Sequence, residues 1–322
     1  MPTRSFKQYL TITAKGLAMG AADVVPGVSG GTIAFISGIY EELIKTIDKL
    51  DFGILKKYKK EGFLSVWKTY NLSFLMSLLL GIAISVLSFA RLITSLLKDQ
   101  PILVWSFFFG LVLVSIFHIG KQIKKWSIST FTAMLIAVML SYLITLAEPI
   151  GSPEDTWFLF IAGFIAIIAM ILPGISGAFI LLLLGAYQSV LEIITQFGDG
   201  ITQLNWQLFS NAFIKLFVFG IGALLGIKMF SKILNWMFEN YKDLILSILT
   251  GFMIGALNKI WPWKEVIEYR LNHHGERIPF IEKSILPNNF TGDPQVLFSI
   301  ILMIIGFLII LLFERFANQK NE

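Results

Sequence analysis

The chain has 322 residues, of which 56% are hydrophobic and only 15% are charged, and its mean hydropathy is +0.75. Soluble domains carry about 25% charged residues, so this composition excludes an ordinary soluble domain and predicts a single integral membrane domain. There is no cysteine, which excludes disulfides and thiolate metal sites, and the formal net charge is only +5.

In chain order, the apolar stretches predict six simple membrane spans and two interrupted segments. Each simple span is long enough to cross a bilayer as one helix: residues 72–97, 102–119, 127–147, 211–232, 243–259 and 296–313. Proline and glycine interrupt the stretches 12–44 and 157–195. We expect each of these to form a re-entrant hairpin of two half-length helices, and one kinked full span per stretch is the alternative.

Three other regions complete the chain. Residues 1–15 are polar and basic, so we expect no cleavable signal peptide. Residues 45–71 mix lysines with apolar side chains, which predicts either an interfacial helix on the anionic inner leaflet or a plain solvated connector. Residues 260–295 form one sizeable outer loop, which we expect to be irregular and to lie on the surface.

The two interruptions are copies of one phrase, PG-x-SG. The first copy comprises Pro26, Gly27, Ser29 and Gly30, with Gly38 and Tyr40 further on. The second comprises Pro173, Gly174, Ser176 and Gly177, with Gly185 and Tyr187 at the same constant offset of 147 residues. Interrupted helices at matching places in two halves of a membrane protein are a strong sequence indication of a transport site.

The repeat extends beyond this phrase. Gly16 matches Gly163 at the 147-residue offset, and the offset then becomes 141, as in Gly81 with Gly222 and Gly110 with Gly251. We therefore predict an all-α fold of two repeats, about 1–147 and 148–322, each with one hairpin and three spans. A hairpin returns to its starting side and three spans do not, so the second repeat is predicted to be inverted.

The distribution of basic residues predicts the orientation. With the N-terminus in the cytoplasm, the inside segments hold seventeen Lys and Arg residues and the outside segments hold seven. The positive-inside rule favours this choice, which also places the C-terminus in the cytoplasm. Because topology accounts for the basic charge, we expect no nucleic-acid partner.

The phrase itself offers an anion site. Glycines allow close approach to the backbone, and the half-helix that follows presents free N–H groups and a positive dipole end, which suits phosphate. Ser29 and Ser176 add hydroxyl donors, and Thr32 adds another in the first copy, where the second has Phe179. The alternative is that these residues only build a tight turn and close helix packing.

Charged residues inside apolar segments are further candidates, because burying them is costly. Arg91 and Lys232 occupy equivalent repeat positions, so each could receive an anionic head group, although snorkelling to the interface is the alternative. Asp23 lies three residues before Pro26 and is a candidate proton relay, with a structural salt bridge or helix-terminus contact as the competing interpretation.

Catalysis finds little support in the sequence. The histidines are His118, His273 and His274, and no metal-ligand spacing, nucleophile elbow or phosphate-binding loop is present. We therefore predict no catalytic residue, no metal and no cofactor, and a protein that is not an enzyme. The sequence leaves the oligomeric state open.

The stretches GAADVVPGVSGGTIAFISGIYEELI (20–44) and ILPGISGAFILLLLGAYQSVLEII (171–194) resemble the bacterial polyprenyl-phosphate transporter family, long catalogued as a domain of unknown function. The resemblance covers nearly the whole chain. It implies a site at the two phrases that includes Gly31 as well as the residues above, with Asp23 fitting the first copy.

The resemblance also implies a function. Such a protein would return undecaprenyl phosphate, the lipid carrier of cell-wall precursors, from the outer to the inner leaflet of the bacterial cytoplasmic membrane. With no nucleotide motif, uphill movement would draw on an ion gradient or on the membrane potential. The alternatives are a transporter or channel for a small soluble anion and, less favoured, an intramembrane lipid-modifying enzyme.

Overall fold

Helices make up most of the described chain. The structure is a computed structural model that describes residues 4–24, 28–51, 53–147, 155–271 and 277–318. The described residues of the first half form eight helices in the order α1 Phe6–Val24, α2 Gly30–Ile36, α3 Tyr40–Lys49, α4 Gly53–Glu61, α5 Phe63–Thr69, α6 Leu72–Asp99, α7 Pro101–Gly120 and α8 Ile128–Leu146. The predicted simple spans of this half coincide with α6, α7 and α8.

The second half repeats this order without the α4 and α5 insertion. Its helices are α9 Thr156–Ile171, α10 Gly177–Leu183, α11 Tyr187–Thr202, α12 Trp206–Asn240, α13 Lys242–Ala256 and α14 Val296–Asn318. The last three coincide with the predicted simple spans of this half. The all-helical class predicted from the sequence is confirmed for the membrane-like segments.

The structure of residues 260–295, the predicted outer loop, differs from the prediction. Strands β1 (Lys264–Leu271) and β2 (Arg277–Ser284) pair antiparallel where irregular structure was expected, with Lys264 opposite Ser284 at one end of the ladder. The second part of β1, IEYRL (267–271), alternates apolar and charged residues, which is the period of a strand. Trp261 and Trp263 anchor the hairpin, since their indole N–H groups donate to the carbonyls of Ile285 and Pro294 at 2.8 Å.

In the part of the chain that the structure describes, each interrupted segment contains three helices rather than the two that were expected. The break at PG-x-SG separates α9 from α10, and a second bend of 109° separates α10 from α11. The second bend lies at Gly185, and Gly38 holds the same place between α2 and α3, with φ of 68° and 73°. Whether these segments are re-entrant stays a prediction.

Equivalent helices of the two halves make equivalent contacts. Helix α1 packs on α6 and α9 packs on α12, while α7 packs on α14 and α8 on α13. Glycines set the approach: a Cβ at Gly16 would collide with the Leu78 carbonyl, and one at Gly163 with the Phe219 carbonyl. Small residues allow membrane helices to approach this closely, and these are the glycines that the repeat paired.

Apolar side chains cover much of the outer surface. Among the described residues, α7, α8 and α12 are each long and apolar enough to span a bilayer, and two bent pairs raise the number to five, by length and composition. Leu87 on α6, Met139 on α8 and Leu297 on α14 are 83%, 65% and 68% exposed. Apolar patches of this extent are unusual in monomeric soluble proteins, so lipid is their expected environment.

Ionic contacts tie α3 to α12 and α13 at one end of the molecule. Lys228 and Asn235 on α12 both bind Asp48, the latter at 2.9 Å. Lys242 binds Glu41 at 2.5 Å, and Arg4 forms two 2.6 Å hydrogen bonds with Glu42. The contacts of Asp48 and Glu41 join the first half of the chain to the second, whereas the Arg4–Glu42 pair lies within the first half.

Candidate functional site

The first copy of the phrase is closed by its own side chains. Ser29 caps α2, and its Oγ accepts the Gly31 N–H at 3.1 Å. The Asp23 carboxylate accepts the Gly30 N–H at 2.6 Å. Residues 28–35 are all buried. The N–H groups of Gly30 and Gly31, which we predicted to bind an external anion, are therefore hydrogen-bonded to oxygens of the protein, one of them a carboxylate oxygen.

The two copies contact each other directly. Ser29 Oγ donates to the Met170 carbonyl at 3.1 Å, at the end of α9, and Thr32 Oγ1 accepts the Gly174 N–H at 2.9 Å. A Cβ at Gly31 would lie 2.5 Å from the Ile171 carbonyl oxygen, so only glycine fits this contact. The interrupted segments of both halves thus meet through the residues that the repeat singled out.

The second copy has no internal carboxylate. Met170 replaces Asp23 at the equivalent position, and its side chain is 43% exposed. Ser176 caps α10, accepting the Phe179 N–H at 3.4 Å, which is a long hydrogen bond. Among the described residues, no group accepts the N–H of Gly177 or Ala178. Within the described part of the chain, the N–H groups of Gly177 and Ala178 are therefore free, whereas the equivalent groups of Gly30 and Gly31 are hydrogen-bonded.

The remaining motif residues build turns. Gly38 and Gly185 end α2 and α10 in left-handed conformations, and in each turn the next residue's N–H bonds five residues back, Ile39 to Ala34 at 3.0 Å and Ala186 to Leu181 at 2.9 Å. This is the Schellman arrangement that glycine favours. Tyr40 and Tyr187 then begin α3 and α11, so these four residues shape the segments.

A cleft beside the second copy contains a cation that the sequence analysis did not select. Ser141 and Thr145 of α8, Gly174, Ser176 and Lys259 line this cleft. The Lys259 Nζ lies 4.5 Å from the centre of the Phe179 ring. Lys259 was assigned to the outer surface because it ends a predicted span. The 141-residue offset pairs it with His118, and this pairing is the sequence signal that could have selected it.

The other predicted site residues are placed as follows. Pro173 and Gly177 are buried, and Gly177 packs on the Ala166 carbonyl. Lys232 is exposed on α12, without a contact to the motif among the described residues. Arg91 lies within α6, where only its backbone is described. Pro26 and Gly27 lie outside the described residues.

Comparison with known proteins identifies relatives along nearly the whole chain. Residues 19–278 match the VCA0040-like family, described as undecaprenyl phosphate translocase-like. A polyprenyl-phosphate transporter of Vibrio cholerae serotype O1 is 42% identical over 315 residues, which cover 97% of this chain and 98% of the relative. One of Staphylococcus aureus is 30% identical over 260 residues, which cover 77% and 84%. No solved structure matches significantly.

These matches confirm the family that the two phrases indicated. Both relatives are named as transporters and neither as an enzyme, which confirms the prediction that the chain is not an enzyme. The match includes both copies of PG-x-SG and the helices that pack around them. The chain belongs to the undecaprenyl phosphate translocase-like family.

Proposed function

We propose that this protein transports polyprenyl phosphate across the bacterial cytoplasmic membrane and returns undecaprenyl phosphate from the outer to the inner leaflet. The names of the two relatives and the description of the family support the substrate class. The observation that carries the proposal is the direct contact of the two glycine-serine phrases, Thr32 with Gly174 and Ser29 with Met170, beside a cleft that contains a lysine.

A phosphate monoester on an isoprenoid tail requires two different environments. The head group needs hydrogen-bond donors and positive charge inside an apolar protein, where electrostatic attraction is strong. The tail can remain in lipid alongside the exposed apolar faces of the helices. The second phrase, with the Ser176 hydroxyl and Lys259, provides the first environment, and the apolar outer surface provides the second.

The proposal includes an inverted repeat with both termini in the cytoplasm. The equivalent packing of α1 on α6 and α9 on α12 supports a repeat, and the excess of basic residues in the assigned inside segments supports the orientation. Because the chain has no cysteine, single cysteines can be introduced without background. Residues 50–65 should label from the inside and residues 265–285 from the outside; labelling of both regions from one side would refute the inversion.

The decisive experiment is transport by the purified protein in liposomes. We expect it to bind and flip polyprenyl phosphate, and we expect inorganic phosphate to compete poorly. Strong competition by inorganic phosphate would favour the alternative of a transporter or channel for a small soluble anion. An imposed proton gradient should change the rate if protons offset the cost of moving negative charge inward, about 2.3 kcal/mol per charge for each 100 mV.

A further inference from the structure

Two lysines share one carboxylate beside the second copy of the phrase. The Nζ atoms of Lys259 and Lys264 lie 3.8 and 3.6 Å from the same oxygen, Glu282 Oε2. The three side chains are only 18%, 7% and 23% exposed. One negative charge therefore faces two positive charges in a largely buried cluster, and among the described residues no second carboxylate completes the pairing.

Lys264 forms the back of this cluster. Its Nζ lies 3.8 Å from the centre of the Trp105 ring, and it is buried without a hydrogen-bond partner among the described residues. Burial lowers the pKa of Lys264 to about 8. Burying an ammonium group without an equal negative charge raises the free energy of the folded state. An anion that binds near this cluster would lower it.

Lys259 forms the front of the cluster, because its side chain lines the cleft together with Ser176 and Phe179. Ser176 has a hydroxyl hydrogen that no described group accepts. The hydroxyls of Ser141 and Thr145 instead donate to the carbonyls of Phe252 and Tyr142, at 2.8 and 2.7 Å. One cation and one hydroxyl donor thus line the same small space, together with the apolar side chains of Ile144 and Ile175.

The aromatic residue explains a difference between the two copies. Phe179 occupies the position of Thr32 in the first copy, and it lies 4.5 Å beneath the Lys259 ammonium. A cation over an aromatic face is held by the ring quadrupole without being neutralised. Phe179 therefore keeps the lysine in the cleft while leaving its positive charge available to a ligand.

We propose that Lys259 and the Ser176 hydroxyl bind the phosphate group of the transported lipid in this cleft, and that Lys264 prevents Glu282 from neutralising Lys259. This assignment rests on the proposed function for the identity of the ligand. It places the head-group site at the second copy, on the side of the β-hairpin, which the proposed topology assigns to the outer leaflet. The carrier would be taken up from that leaflet.

The test uses the purified full-length protein and two probes, farnesyl phosphate and inorganic phosphate. Lys259→Gln should weaken farnesyl phosphate binding roughly ten- to hundredfold, the range expected for losing one charge-assisted hydrogen bond. Lys259→Arg should retain most of the affinity because it keeps the charge. Lys283→Gln is the matched control, since it removes an exposed lysine from the same hairpin and should leave binding unchanged.

A second readout separates ligand binding from a structural role. Because Lys259→Gln leaves Glu282 paired with Lys264 alone, it removes the excess buried charge, so its thermal midpoint should equal or exceed that of the wild type. Lower affinity with undiminished stability supports the proposal. Wild-type affinity in Lys259→Gln, or a stability loss that accounts for the weaker binding, overturns it.

The two probes also separate this proposal from the proposed function. If the wild type flips polyprenyl phosphate and Lys259→Gln binds farnesyl phosphate normally, only the assignment of Lys259 is wrong. If the wild type binds inorganic phosphate as well as farnesyl phosphate, and both require Lys259, the lysine is an anion ligand and the lipid specificity is wrong. Binding of neither probe by the wild type overturns both.

Discussion

The two copies of PG-x-SG share a sequence pattern but differ in what surrounds it. In the first, Asp23 and Ser29 accept the N–H groups of Gly30 and Gly31, and residues 28–35 are all buried. In the second, Met170 replaces the aspartate, and a cleft with Lys259 adjoins Ser176. The two copies of the motif thus have neighbours of opposite charge: the acidic Asp23 beside the first and the basic Lys259 beside the second.

This difference suggests a division of labour. A carboxylate beside the first copy repels a phosphate, whereas a lysine beside the second attracts it. Hydrogen bonds between the copies couple them, so a change at one would be felt by the other. The first copy would respond to protons and support the structure, and the second would contact the anion.

The largest effect is expected at Gly174. Its φ of 89° suits glycine alone, and a Cβ there would lie 2.8 Å from the Phe252 carbonyl oxygen. Gly174→Leu should therefore reduce transport in liposomes to background, because it disrupts the turn that joins the copies. Gly220→Leu on α12 is the control, since nothing lies within 4 Å of a Cβ there. Equal transport by both variants would show that the turn geometry is dispensable.

A smaller effect should distinguish the two serines. Ser176→Ala removes a donor that faces the cleft, so polyprenyl phosphate binding should weaken roughly ten- to hundredfold. Ser29 Oγ already donates to the Met170 carbonyl, so Ser29→Ala should mainly lower thermal stability, by about 0.5–2 kcal/mol for the lost cap. Binding isotherms and melting curves of both variants test this. Equal loss of affinity in the two would mean that the copies bind the substrate alike.

At Asp23 the expected change is in coupling rather than in affinity. Asp23→Asn keeps an oxygen that can accept the Gly30 N–H and removes the negative charge. Lipid binding should be retained, and the response of transport to an imposed proton gradient should be lost. Asp243→Asn is a suitable control because Asp243 also accepts a backbone N–H, that of Lys124 at 2.9 Å, far along the chain. If Asp23→Asn keeps the wild-type pH profile, the carboxylate is structural and the proton travels on the phosphate.

The sequence predicted the helical segments and the motif well, because long apolar runs and paired glycines are local signals. It did not predict the strands β1 and β2, because their apolar residues are few and lie among many charged ones, without a regular alternation along the full length of either strand. It also missed Lys259, because the contact of its ammonium group with the Phe179 ring joins residues that are far apart in sequence. The role of Ser29 was ambiguous because the carbonyl that its hydroxyl contacts belongs to Met170, which is distant in sequence. The role of Asp23 was ambiguous because its partner is a backbone N–H group, that of Gly30, which no side-chain pattern indicates.

The smallest effect concerns stability at alkaline pH. Burial lowers the pKa of Lys264 to about 8 from its ordinary value of 10.5, so between these values the unfolded chain binds more protons than the folded one. Stability should therefore rise with pH over this window, because the cost of burying the ammonium group disappears as Lys264 loses its proton. Melting temperatures of the detergent-solubilised protein at pH 7.5 to 10.5 test this, with Lys264→Met as the control that should show a smaller rise. The same rise in Lys264→Met would assign it to another group, and a fall in both would mean that other titrations dominate.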